Sequence, residues 1–385
     1  MAKVKYINRI SDVPQLDPEE VKELEKVTKK FPFGANTYYL GLINWEDKAD
    51  PIRRMVIPSL EELEDEEWGA IDPSHEADYT VAPGLQHKYP DTALFLLSDL
   101  CGGRCRYFFR KRLFMEHREY EILKDYRPAV QYIKEHNEVN NVLLTGGDPL
   151  RLATPSLREV LSALRDIDHV QIIRVGTKMP VYNPFRVIDD PELPKVIKEF
   201  STPEKRIYFM LQFSHPHEIT KEAIEAANIF LESGAILCNQ NALLRGVNDA
   251  PEVLAELFKQ LSFIGVSPYY VFQCRPAVGN KPYAVPLVRA YQIVQEAKKN
   301  ISGTAKRATF AMSHALGKIE IVGLDDSHIY MRYHRAPNPR DTGDFIVTRR
   351  NDMGYWLDDF ETVQLMNVVL ELPASGVKRA YSSAL

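Results

Sequence analysis

Cysteine is scarce in this chain, with four among 385 residues. That is too few for a disulfide framework, and in a reducing compartment closely spaced thiols point to metal or redox chemistry more often than to structure. Surplus charge is missing as well. Lys and Arg number 48 against 53 Asp and Glu, a net charge of −5, which provides no basic face for nucleic acid. No apolar run reaches the length a membrane-spanning helix needs, and the opening MAKVKYINRISDVPQ has no apolar leader core. A cytoplasmic protein with neither membrane nor nucleic-acid partners is therefore expected. There is no low-complexity segment and no short internal repeat. What is present, 45% hydrophobic and 26% charged residues over 385 positions, is enough for one large barrel or for two to three units.

The first ninety residues are polar and broken by turn signals. One helix is legible from Pro18 to about Lys30: Asp17 caps it, Pro18 occupies the first turn where its missing N–H costs nothing, and Val21, Leu24 and Val27 form the apolar stripe. From Ala93 onward, short apolar runs alternate with amphipathic stretches. The runs are ALFLLSD (93–99), NVLLT (141–145), VQIIRVG (170–176), RIYFMLQFS (206–214), AILCNQN (235–241) and PYYVFQC (268–274). Helices fall between them, for example Thr220 to Ser233 and Pro251 to Leu261. Six strands recurring every thirty to fifty residues predict parallel βα units, and each run ends in polar or glycine-containing text, where such folds place their working residues. After Asn300 the periodicity stops and the tail reads as a mixed, β-rich cap.

Several stretches could carry chemistry. In LCGGRCRYFFRKRLF, Cys101 and Cys105 stand four apart, and Phe108 takes the place where a third thiol would complete a C-x3-C-x2-C triplet. Two thiols under-ligate an iron-sulfur core, so the pair alone reads as two small loop residues before it reads as a cluster site. TGGDPL offers backbone amides and the Asp148 carboxylate, for a polar ligand or simply for a strand-to-helix turn. Lys318, between a glycine and an apolar run, is either a solvated strand end or a desolvated amine able to form a Schiff base. His215 and His217 read as ordinary loop histidines. The basic run Arg106, Arg110, Lys111 and Arg112 is either a solvated face or an anchor for a carboxylate or phosphate.

Taken in order, PGLQHKYPDTALFLLSDLCGGRCRYFFRKRLF, LLTGGDPL, IIRVGTK, FSHPHEIT, NALLRGVND, PYYVFQC and ALGKIEI resemble the lysine 2,3-aminomutase family of radical S-adenosylmethionine enzymes. The resemblance implies an α/β fold: a partial (β/α)6 barrel of TIM type over 91–300, after an N-terminal helical region (1–90) and before a C-terminal extension (301–385). It also implies roles. Cys101 and Cys105 match two of the three ligands of a [4Fe-4S] cluster, and Phe108 stands at the third. Gly146, Gly147 and Asp148 match the segment that holds the methionine end of S-adenosylmethionine. Lys318 matches the lysine that carries pyridoxal phosphate, Tyr89 a residue near the pyridoxal site, and Arg110 the arginine that pairs with the substrate carboxylate. In such enzymes the reduced cluster cleaves S-adenosylmethionine, the resulting radical takes a hydrogen from the substrate, and the amino group migrates between adjacent carbons.

The chain departs from the family at three places. Phe108 removes a thiolate, and Cys274 is no substitute because the same QC text resembles relatives that keep the full triplet. Arg275 stands where lysine-specific members have an aspartate, and Ala311 to His314 supplies no second acid. A guanidinium opposing a lysine ammonium would cost on the order of several kcal/mol, so a small amino acid with an acidic side chain, such as glutamate or aspartate, is the expected substrate. Lys88 and Thr92 stand where the family has basic residues, and the glycine-rich run before the lysine is thinned to HALG, which predicts weak or absent phosphate binding. Two readings follow: an amino-acid 2,3-aminomutase that is not lysine-specific, or a cluster-deficient relative that binds S-adenosylmethionine, pyridoxal phosphate or a partner. A homo-oligomer is compatible with either.

Overall fold

The six apolar runs all become strands, because each is a short continuous stretch of branched and aromatic residues that can be covered on one face by a helix. The computed structural model describes residues 3–64, 66–115, 122 and 124–366. Strands β1 (Tyr6–Ile7) and β2 (Ala35–Asn36) form a small antiparallel ribbon. The main sheet begins with β3 (Thr80–Ala82), β4 (Leu85–Tyr89), β5 (Thr92–Ser98), β6 (Asn141–Gly146), β7 (Ile172–Thr177), β8 (Ile207–Leu211) and β9 (Ile236–Leu243). It continues through β10 (Ser267–Gln273), β11 (Thr309–His314), β12 (Gly317–Leu324), β13 (His328–Arg335), β14 (Phe345–Arg349) and β15 (Thr362–Met366). Spatial order follows chain order throughout.

Neighbours from β5 to β11 pair in parallel, while β3–β5 and β11–β15 pair antiparallel. The fold is thus mixed α/β. Helices return the chain between parallel strands, among them Thr154–Arg165, Lys221–Glu232, Pro251–Phe263 and Leu287–Lys299. The predicted first helix runs from Pro18 to Thr28, with the Asp17 carboxylate accepting from the Glu20 amide at 2.8 Å.

Two segments differ from the sequence reading. The chain makes a seventh parallel strand, β11, where a mixed cap was expected to begin. Its TFAMSH text is too short and too polar to stand out, and only the preceding helix Leu287–Lys299 reveals that a βα unit is being repeated. Within the stretch expected to be helical, 80–89 forms a hairpin. Gly84, with φ +70°, turns β3 into β4, and the Pro90–Asp91 turn then joins β4 to β5.

Alternation along the parallel strands sorts the side chains. On β6, Val142 and Leu144 are fully buried, whereas Leu143 and Thr145 line an inner cavity. On β7, Ile173 and Val175 are buried while Arg174 and Gly176 face that cavity. The two ends of the sheet meet around it: Lys88 Nζ on β4 donates to His314 O on β11 at 2.7 Å, and Arg335 on β13 pairs with Asp91 in the β4–β5 turn. Among the described residues no helix is long and apolar enough to cross a membrane.

The N-terminal segment is bolted to the sheet through one buried acid. Glu62, fully buried, accepts from Arg106 Nε and Nη2 at 2.9 and 2.8 Å and from Lys111 at 3.5 Å. Burial opposes its charge, but Arg106 and Lys111 outweigh that and hold its pKa below the usual value. Removing the acid leaves a buried guanidinium unpaired. Glu62→Ala is therefore expected to destabilise the fold by about 3–5 kcal/mol, read as a lower urea midpoint at unchanged slope; a midpoint that does not move refutes the bolt.

Candidate active site

The cavity, of about 310 Å³, is lined from β4 around to β13. One end holds the loops after β5 and β6. Gly146 turns at φ +110°, and a Cβ on Gly147 would lie 2.5 Å from Leu100 O, so glycine is what lets the TGGD loop close against the cysteine loop. The Gly147 amide bonds Ser98 O and the Asp148 amide bonds Leu100 O at 2.7 Å. The Asp148 carboxylate is buried and already engaged, accepting from Thr177 Oγ1 at 2.8 and 2.9 Å, from the Lys178 amide at 2.8 Å and from the Leu150 amide at 3.0 Å. Burial nevertheless lifts its pKa to about 6 against those bonds.

Cys101, Cys105 and Phe108 all line this end. Burial, followed by the nearby Asp148 and Cys105, pushes the Cys101 thiol well above its ordinary pKa. Cys105 Sγ lies 3.2 Å from Tyr182 OH. The Phe108 ring packs 5.5 Å from Phe109 and 5.9 Å from Phe114, centroid to centroid. Cys274, also on the cavity wall, sits beside Lys111 and Arg275, and burial lifts its thiol to about 12.

Lys318 occupies the other side. The β11–β12 hairpin turns at Ala315–Leu316, and Gly317, at φ +143°, presses against Arg335 O where no Cβ would fit. Lys318 Nζ lies 3.9 Å from the centroid of Tyr270 and 5.2 Å from that of Phe272. Burial first, then the charges of Arg174, Arg335, Arg275 and Lys88, hold its pKa well below the usual lysine value. An amine whose ammonium form is disfavoured in this way is a better nucleophile toward aldehydes. Tyr89 lies close by, its phenol pushed up to about 12 by burial, with the Arg335 guanidinium 4.4 Å over its ring.

The third region is a cluster of cations around one acid. Glu76 is buried, its oxygens 2.8 and 2.9 Å from Arg110 Nε and 2.6 Å from Arg112 Nη2. Burial opposes its charge, yet the two guanidiniums hold it well below the ordinary carboxylate range. Arg275 lies alongside, stacked 3.6 Å over Phe109, whose ring Arg110 also approaches at 4.5 Å. Its one side-chain bond, to Ser74 Oγ at 2.7 Å, is to a neutral group, and among the described residues it makes no ion pair with a carboxylate. Burial lowers its pKa to about 10.

This arrangement can be set beside known proteins. No family model matches the chain. An Aquifex aeolicus protein named "Putative L-lysine 2,3-aminomutase" is 50% identical over 359 residues, covering 93% of this chain and 95% of that protein. The L-lysine 2,3-aminomutase of Clostridium subterminale is 34% identical over 302 residues, 77% of this chain and 71% of its own length. The chain belongs to the lysine 2,3-aminomutase family. Glutamate 2,3-aminomutase of Clostridioides difficile is also 34% identical, over 305 residues that cover 77% of this chain and 70% of that enzyme.

Within this aminomutase-family chain, Tyr89, Cys101, Cys105, Arg110, Gly146, Gly147, Asp148, Arg275 and Lys318, far apart in sequence, all line this cavity. The basic run is not a solvated face, since Arg106 and Lys111 hold Glu62 and Arg110 and Arg112 hold Glu76. His215 and His217 pack ring to ring at 4.4 Å outside the cavity lining. Among the lining residues that escaped the sequence reading are the charged Glu76, Arg174 and Arg335. The only signal for Arg174 was a charge interrupting the apolar run VQIIRVG.

Proposed function

We propose that this chain is an amino-acid 2,3-aminomutase-like protein of the radical S-adenosylmethionine type, whose substrate is an amino acid with a second carboxylate. The curled sheet is read as a partial (β/α) barrel and the protein as cytoplasmic, supported by the bridging of the sheet's ends and by four unpaired cysteines. One observation carries the substrate reading. Arg110, Arg112, Arg275 and Lys88 gather around Glu76 and Asp72, two more cations than acids, and among the described residues Arg275 has no carboxylate of its own. A dicarboxylic amino acid bound through its nitrogen brings the two missing charges, whereas lysine brings an ammonium to a guanidinium.

The residues fit the cofactors unequally. Pyridoxal phosphate suits Lys318, whose amine lies over Tyr270 among cations that disfavour its charged form, and bound there it would supply the carbonyl and the electron sink for a migrating amino group. Lys318 would hold the cofactor through its amine, Tyr270 and Phe272 would keep water off that amine, and Arg275 would orient the substrate's far end. For S-adenosylmethionine, backbone groups of Gly146 and Gly147 are within the cavity, while the Asp148 carboxylate is committed to Thr177, Lys178 and Leu150. The [4Fe-4S] cluster does not fit. Two thiols and a phenyl ring cannot make its donor set, and no step is assigned through it.

Substrate choice is tested on protein loaded with pyridoxal phosphate. Glutamate or aspartate is expected to displace the lysine-linked absorbance at concentrations at least tenfold below those L-lysine requires. Tighter engagement of lysine would overturn the acidic-substrate reading.

A further inference from the structure

Around Lys318 there is a second surplus of positive charge, separate from the Glu76 cluster. Arg335 on β13 is the direct cross-strand neighbour of Lys318 on β12. Its guanidinium lies over Tyr89, and its Nη2 contacts both Asp91 and, at 3.2 Å, the Thr92 hydroxyl. Arg174, from mid-β7, donates its Nε to the neutral Asn141 Oδ1 at 2.8 Å and makes no ion pair among the described residues. Two guanidiniums thus face the pocket wall beside Lys318, and the acid paired with them, Asp91, has a half-exposed side chain. Such a group is costly to desolvate unless an anion enters.

We propose that Arg335, with Arg174 beside it, binds the phosphate of pyridoxal phosphate in this chain, taking over from the short Thr92 side chain a task that a basic residue at position 92 would otherwise perform. The inference rests on the reading of Lys318 as the cofactor lysine, and it reverses the expectation that phosphate binding is weak or absent. A phosphate ester carries close to two negative charges and several acceptor oxygens, which match the N–H edges of two guanidiniums. The Asp91 carboxylate and Thr92 hydroxyl fix one edge of Arg335 and leave its remaining N–H groups for that ester. The other cation group is committed differently: Arg110 and Arg112 already grip Glu76, and Arg275 stands against Phe109. The two anion subsites therefore divide the cavity, with phosphate beside Arg335 and carboxylate beside Arg275.

The test compares pyridoxal phosphate with pyridoxal, which lacks only the phosphate, by titrating the absorbance of the lysine-linked species in the unaltered chain and in Arg335→Ala, Arg335→Lys and Lys318→Ala. Borohydride trapping and mass spectrometry fix the linked residue. Arg335→Ala is expected to weaken pyridoxal phosphate 10- to 100-fold while leaving pyridoxal within twofold, Arg335→Lys to fall between, and Thr92→Arg added to Arg335→Ala to restore binding. Equal loss for both aldehydes, or no loss for either, overturns the phosphate role of Arg335. Absence of any Lys318-dependent species in the unaltered chain instead overturns the cofactor lysine, and this proposal with it.

Discussion

Anaerobic reconstitution of the Phe108→Cys variant is expected to yield about four irons and four sulfides per chain, against less than one for the unaltered protein. The reasoning is local. Cys101 and Cys105 already share the cavity wall with Phe108, and the Phe108 amide bonds Cys105 O at 3.1 Å, so residue 108 is held in one turn with Cys105. Replacing the ring forfeits contacts with Phe109 and Phe114 but buries no unpartnered polar group, so the fold is expected to persist. Metal coordination deprotonates thiols, which overrides the burial that raises Cys101. A spectrum that changes on adding S-adenosylmethionine would show that one iron is left open to it. Cys101→Ser in the same background should abolish iron retention, and Cys274→Ser should leave it unchanged, because Cys274 lies beside Lys111 and Arg275. Equal iron in the unaltered chain would mean that a further ligand exists and would sink the statement that the donor set is incomplete.

Legibility from sequence followed range. The six strands and the cap at Asp17 are set by neighbours a few residues apart, and they appear where the text predicts them. Strand β11 failed that criterion because TFAMSH has only three consecutive apolar residues, none of them β-branched. The hairpin at 80–89 depends on a sheet edge supplied by β5, which no local pattern announces. The same holds in the site. Lys318 stood out by its place between a glycine and an apolar run and Arg275 by the resemblance, but that Glu76 holds Arg110 from 34 residues away, or that Arg335 reaches Thr92 from 243 residues away, is a property of the folded chain alone. His75 at φ +50° is a further consequence: the backbone takes an unfavoured turn immediately before Glu76 buries its carboxylate.

The charge of residue 275 should decide which amino acid the cavity accepts. Arg275→Ala removes a guanidinium that has no internal carboxylate to leave behind, so unlike Glu62→Ala it strands no buried charge and should leave the urea midpoint nearly unchanged. What it does remove is the partner of the substrate's far carboxylate. Truncating one side of a buried charge pair costs about 2–5 kcal/mol, and glutamate should therefore need at least roughly 30-fold higher concentration to engage the Lys318-linked cofactor. Alanine, which has no second carboxylate, should bind the variant and the unaltered chain alike. Arg275→Asp should go further and invert the order, since a carboxylate beside Phe109 would attract an ammonium and repel glutamate. Binding isotherms for glutamate, alanine and lysine on all three proteins separate these outcomes. If glutamate loses no more than alanine does, Arg275 is a structural cation stacked on an aromatic ring, and the choice of an acidic substrate must come from elsewhere in the cavity.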